Sequence, residues 1–127
     1  PVKEKIYTQK LNKKMKAKAF LVALSRKFKD GEMVFLDSFK TGSKTKTADA
    51  VFKDLRKIAG MEKLGKRGGS ALVLLPQPES DTVRATRNLP FTSTILARNL
   101  SILDILTYKY LVLPTMAVSA LPTGKNK

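Results

Sequence analysis

Five lysines fall within nine residues, at Lys10, Lys13, Lys14, Lys16 and Lys18. No acid stands among them to damp the field. An ammonium is a compact point charge suited to a phosphate oxygen, whereas arginine's planar fork is the better reader of base edges. Lysines number 19 and arginines 6, so the chemistry on offer is backbone contact with a polyanion. Each neutralised phosphate releases a counterion, and such binding weakens steeply with salt. Further cations stand in loops: Lys44 and Lys46 after an apolar run, and Lys63, Lys66 and Arg67 in a glycine-rich stretch. Arg87 and Asn88 are a further candidate pair, although Asn88 could equally serve the turn ahead of Pro90.

Other chemistries find little support. The chain has no His and no Cys, which removes the commonest general base, the best nucleophile and any thiolate metal site. The acids stand singly, at positions such as Asp37, Asp49, Asp54, Glu62, Glu79, Asp81 and Asp104. Most of them suit helix starts or helix faces. Asp37, after a strand, is read as a turn residue because no partner is in view. Gly60 to Arg67 nearly spells a phosphate loop, but Arg67 stands where a Ser or Thr hydroxyl would hold magnesium. The segment also follows a helix and precedes a strand, the reverse of a phosphate loop's setting. The expectation is therefore no enzyme, no cofactor and no metal; a phosphate-handling enzyme is the least favoured alternative.

The whole chain shares the imbalance: 25 basic against 10 acidic residues, a net charge of +15 on 127 residues. A domain so charged repels itself, and a polyanion relieves the repulsion. The excess is uneven, with a net of +9 in residues 1–29 and +6 in residues 30–127. Hydrophobic residues make up 43%, which suits one folded domain over 1–121 rather than a disordered basic arm. Residues 1–18 form its basic leading segment, and 122–127 read as a flexible tail. No apolar run approaches the roughly 20 residues of a membrane span.

The elements that must position these cations alternate in type. Asn12 to Phe28 reads as a helix capped by Asn12, with Ala17, Phe20, Leu21, Leu24 and Phe28 on one stripe. Met15, Ala19 and Val22 fall on the opposite side, so the later turns are expected to be buried on two sides. That leaves no free apolar face for a membrane surface, and no membrane partner is expected. The lysine-bearing first turns then project beyond the core, and Asp30-Gly31 ends the helix. Met33 to Leu36, Ala71 to Leu75, Thr92 to Leu96 and Tyr110 to Leu113 read as strands, the first two buried on both faces. Between them, helices are expected over Thr47 to Ala59, with Val51, Leu55 and Ile58 inward, over Ser80 to Arg87, and over Ser101 to Leu106 behind a Ser101–Asp104 capping box. Such alternation predicts an α/β fold, a three-layer α/β/α sandwich around a mostly parallel four-stranded sheet. Phe20, Phe28, Phe35 and Phe52 take core-type positions, and no aromatic–basic stacking platform is visible.

The order of these segments resembles the second half of the bacterial-type large-subunit ribosomal protein L-four (universal L-four) family. Leu11 to Ser25 is similar to that family's basic helix ending in Ala-Leu-Ser. Arg87-Asn88-Leu89-Pro90 is similar to its Arg-Asn-Leu-Pro turn. Leu100 to Leu106, then Tyr110 to Leu113, is similar to its penultimate helix and last strand. The likeness covers about residues 1–120, and its specificity lies in the order and spacing of short motifs. Ser101 stands where the family commonly has Asn, and Pro122 and Gly124 interrupt its C-terminal helix. Pro1 to Tyr7 resembles the chain just after the family's long Gly/Arg-rich extension, so the tunnel-lining role of that extension does not carry over to these residues. The resemblance implies a cytoplasmic ribosomal protein, with an organellar one not excluded. Its implied partners are large-subunit ribosomal RNA, which it helps to fold, and neighbouring large-subunit proteins. As an alternative it implies translational repression through the protein's own messenger RNA.

Overall fold

The computed structural model describes residues 9–66 and 68–122. The expected tail from residue 123 onward, the segment Pro1 to Tyr7 and Arg67 lie outside them. Four short apolar runs bounded by glycine, proline or polar residues form the strands β1 (Met33–Leu36), β2 (Ala71–Leu75), β3 (Thr92–Leu96) and β4 (Tyr110–Pro114). They make one sheet in the order β1-β4-β2-β3, with every pairing parallel. Parallel neighbours need crossovers, and these supply α2 (Thr45–Leu55), α3 (Ser80–Thr86) and α4 (Ile102–Thr107). The long α1 (Lys13–Lys29) precedes the sheet and a single turn, α5 (Thr115–Val118), follows it.

Side chains alternate across a strand, and this divides the core in two. Leu72 and Leu74 of β2 join Leu111 and Leu113 of β4 in a cluster with Phe20 and Leu24 of α1, Ile105 of α4 and Ala117 of α5. Their alternates Ala71, Val73, Leu75, Tyr110 and Val112 join Phe52 and Leu55 of α2 in the other cluster. The sheet is thus covered by apolar side chains on both faces, consistent with the α/β sandwich expected. Both central strands are buried throughout.

The outer strand β1 differs from expectation. β1 buries only Val34, and Phe35 is 47% exposed. An edge strand has one neighbour, so its apolar run cannot be enclosed as that of β2 is. Phe28 (64% exposed) meets Phe35 edge-on at 6.3 Å rather than joining the core. Phe39, in the loop after β1, is buried instead and packs on Phe52.

α1 buries one face, not two. Phe20 and Leu24 face the sheet, while Leu11, Met15 and Val22 are each about 60% exposed. Nothing among the described residues covers that outer side, so the burial argument against a membrane surface does not hold. The positive φ of Gly31 (68°) lets the helix end there as expected. Asn12 does stand at the N-cap, yet its side chain makes no capping bond. α2 starts two residues earlier than expected and stops at Leu55, where bonds from Lys57 to Asp54 and from Ile58 to Leu55 tighten the chain into turns. Its buried stripe is Ala48, Phe52 and Leu55, and Ile58 faces solvent. The Ser101–Asp104 capping box is present as expected.

Candidate nucleic-acid interface

Parallel strands give the sheet two distinct ends, and the cations divide between them. α1 runs against the strands, so its first turns lie at the sheet's carboxyl end. There Lys13 and Lys16 share a recess with Arg98, Asn99 and Ser101 of the loop that leaves β3. Lys10, Lys13, Lys14, Lys16 and Lys18 are all exposed. None makes an ion pair within 4 Å among the described residues. Phe20 and Leu24 fix this helix on the sheet, each burial being worth roughly 1.5–3 kcal/mol.

The local electrostatics favour an anion. A helix start carries a partial positive charge and free N–H groups. α1 has no acid in its first turn and no side-chain cap, so its lysines add to the dipole instead of opposing it. Each such placement costs about 0.3–1 kcal/mol in the isolated protein. A phosphate backbone lying there turns the same cost into attraction.

Lys44 and Lys46 stand at the same end, at the start of α2 after β1. Their loop is held by Thr47, whose hydroxyl donates to the carbonyls of Thr41 and Lys44. Lys40 of this loop reaches the segment after β2, sharing a shallow recess with Pro78 to Thr82. Sequence reasoning missed Lys40, Arg84 and Arg98. Of these, Arg98 was findable, because it stands two residues after a strand, at the end where open α/β sheets bind their ligands.

Lys63 and Lys66 are placed elsewhere. They precede β2, at the amino end of the sheet, in a loop between a helix and a strand, as expected for a segment that is not a phosphate loop. This loop is built on packing. Gly65 has φ +72°, and a Cβ there would meet the Arg56 guanidinium and the Phe91 ring. The Gly65 N–H donates to the Gly69 carbonyl at 2.8 Å, closing the loop on itself. Arg56 lies over Phe91 at 5.7 Å from the ring centroid, so this arginine supports the loop from inside. Both loop lysines remain exposed.

Arg87 and Asn88 follow α3 and are exposed. The turn there is held by backbone bonds from Leu89 to Thr86 and from Thr92 to Leu89. Asn88 makes no side-chain hydrogen bond among the described residues, so it does not hold the turn. Arg87 instead lines a groove with Arg84 between α3 and β3.

Other amino-end cations are structural ties. The Lys27 ammonium donates to Glu32 at 2.7 Å and to the Tyr108 and Lys109 carbonyls at 3.0 and 2.9 Å. It thereby joins the end of α1 to the starts of β1 and β4. The Lys109 ammonium lies 5.3 Å from the centroid of the Tyr110 ring. Among the described residues no group of three His, Cys, Asp or Glu side chains could hold a metal ion. No helix there is long and apolar enough to cross a membrane.

A family model described as "Ribosomal protein L4/L1 family" matches residues 1–123. The large ribosomal subunit protein uL4 of Natranaerobius thermophilus is 34% identical over 119 residues, covering 94% of this chain and 53% of that protein. The uL4 of Thermosipho africanus is 34% identical over 124 residues, covering 87% and 52%. That of Porphyromonas gingivalis is 35% identical over 114 residues, covering 89% and 50%. The chain spans about half the length of these curated relatives.

Proposed function

Because the chain belongs to the ribosomal protein L4/L1 family, we propose that it is a structural constituent of the large ribosomal subunit, not an enzyme, and that it binds large-subunit ribosomal RNA through lysine–phosphate contacts. One observation supports the mode of binding above all. Five exposed lysines with no ion-pair partner among the described residues stand at the positive end of α1. Ordinary surface charge is interleaved with acids; this cluster is not. Lys44, Lys46 and Arg98 extend the same end, so one RNA surface reaches all of them without wrapping the domain. Lys63 and Lys66 are assigned a lesser part, because they stand at the opposite end of the sheet. Neighbouring large-subunit proteins are the further partners proposed, and the ribosome in the cytoplasm is the proposed location.

The test is a salt titration of binding to a large-subunit ribosomal RNA fragment. Changing Lys13, Lys14 and Lys16 together to Ala is expected to lower the slope of log affinity against log salt by about 2.7, at roughly 0.9 per phosphate. Between 50 and 200 mM salt, wild-type binding then falls about 40-fold further than the variant's. An unchanged slope with unchanged affinity refutes the assignment. The leader of the protein's own messenger RNA serves as competitor in the same assay. Preference for that leader over the ribosomal fragment at physiological salt would favour the repressor reading instead.

A further inference from the structure

The open groove between α3 and β3 has a volume of about 590 Å³, within the range of small-molecule sites. Its floor is aliphatic, formed by Leu75 at the end of β2, Val83 of α3 and Leu96 of β3. Arg84 of α3 and Arg87 at its C-cap stand three apart and both line the groove. Neither guanidinium has an ion pair or side-chain hydrogen bond among the described residues, and both are exposed. Two free arginines beside an aliphatic floor form an amphipathic site for a flat, anionic ligand.

The position has a topological reason. α3 packs with α2, whereas α4, which follows β3, packs with α1. The connections leaving the neighbouring strands β2 and β3 therefore part toward opposite faces. Such a divergence opens a crevice at the carboxyl ends of the strands, the usual ligand position in an open α/β sheet. The groove also adjoins the lysine-rich end: Leu96 is followed directly by Ala97 and Arg98, and Arg98 shares its recess with Lys13 and Lys16.

We propose that this groove takes a single unstacked nucleotide of the RNA that the lysines hold. The shared chemistry is a nucleoside phosphate. Arginine forks a phosphate or lies flat on a base, and the aliphatic floor accepts the other face of the ring. Glu79 also lines the groove, and its carboxylate accepts from the Thr82 hydroxyl at 2.8 Å. It repels a phosphate placed next to it, so the phosphate belongs on the arginine side. A ribose hydroxyl or base amine, each a donor, belongs on the Glu79 side. A tethered nucleotide is favoured over a free one because the adjoining lysines hold the strand and raise the local concentration. The proposal rests on the RNA-binding reading above and adds a site that reads an unpaired position.

Methyl NMR of the full chain tests it with three probes: a plain RNA duplex, the same duplex with one bulged nucleotide, and AMP. The bulged duplex is expected to shift the methyls of Leu75, Val83 and Leu96, and the plain duplex is expected to shift only Met15 and Ala17 beside the lysines. Changing Arg84 and Arg87 to Ala, both exposed and so compatible with folding, is expected to abolish the groove shifts. The same variant should bind the bulged duplex about tenfold less tightly and keep plain-duplex affinity within about threefold. Groove methyls that stay silent with the bulged duplex while Met15 responds would overturn the site and leave the RNA reading standing. Groove shifts with AMP alone would assign the groove to a free nucleotide, and the proposal would fall. Silence of Met15 and Ala17 with both duplexes would remove the RNA reading and this site with it.

Discussion

The cations at the two ends of the sheet differ in how many are tied into the fold. At the carboxyl end, Lys10, Lys13, Lys14, Lys16, Lys18, Lys44 and Lys46 are exposed and unpaired among the described residues. At the amino end, Lys27, Arg56 and Lys109 are spent on internal contacts with carbonyls, a carboxylate and aromatic rings. Composition counts these cations alike. Their surroundings separate them into a set left exposed and unpaired among the described residues and a set of ties that hold elements together.

The largest expected effect comes from the residue that spans both ends. Phe52 is fully buried and packs on Phe39 at 5.8 Å and Phe91 at 5.4 Å. Phe39 leads out of the carboxyl end and Phe91 leads into the amino end. Phe52→Ala should cost about 3–5 kcal/mol, read as a lower urea midpoint at an unchanged slope. A loss under about 1.5 kcal/mol would mean that the two ends do not share this support.

Next is Lys27→Met. The Lys27 side chain is only 13% exposed, and its removal leaves Glu32 and two carbonyls without a partner. A cost of about 2–3 kcal/mol is expected, discounted for partial exposure, with the RNA salt slope unchanged. A stable variant with weakened RNA binding would reverse the comparison, making Lys27 a ligand contact instead of a tie.

Smaller effects compare the free lysines. Changing Lys44 and Lys46 to Ala should lower the RNA salt slope by about 1.8, at roughly 0.9 each. Changing Lys63 and Lys66 to Ala should lower it by less than about 0.9. Equal losses would show that the RNA wraps both ends. Least of all, Arg26→Ala and Lys57→Ala should each change stability by under about 0.5 kcal/mol, because their ion pairs with Asp30 and Asp54 are largely exposed. A larger loss at either residue would enlarge the set of structural cations.

Much of the fold was legible locally. The bounds of β1, β2 and β3 match expectation to the residue, because glycine, proline and polar neighbours punctuate short apolar runs. The capping box of α4 was legible because its two partners lie three apart in the chain. The outer face of α1 was not. Periodicity says which residues share a face, but it does not say whether another element covers that face. Met15 and Val22 therefore looked like core and stand in solvent. Phe28 and Phe35 failed for the same reason, since a strand's place at the sheet edge is a property of sheet order. The candidate site was half legible. The lysine cluster could be found by density alone, whereas Arg84 on a seven-residue helix carries no local mark that it lines a groove.

The sequence by itself determined the α/β type, the strand segments and the excess of positive charge, because propensity, alternation and net charge are local or summed properties. The tertiary structure alone decided the strand order, the exposed side of α1 and which cations remain free. The reason is range. Lys27 reaches a carbonyl 81 positions away, and Arg98 shares a recess with Lys13 only because β3 ends beside the start of α1. No window along the chain contains those pairs, so their roles exist only once the sheet has brought them together.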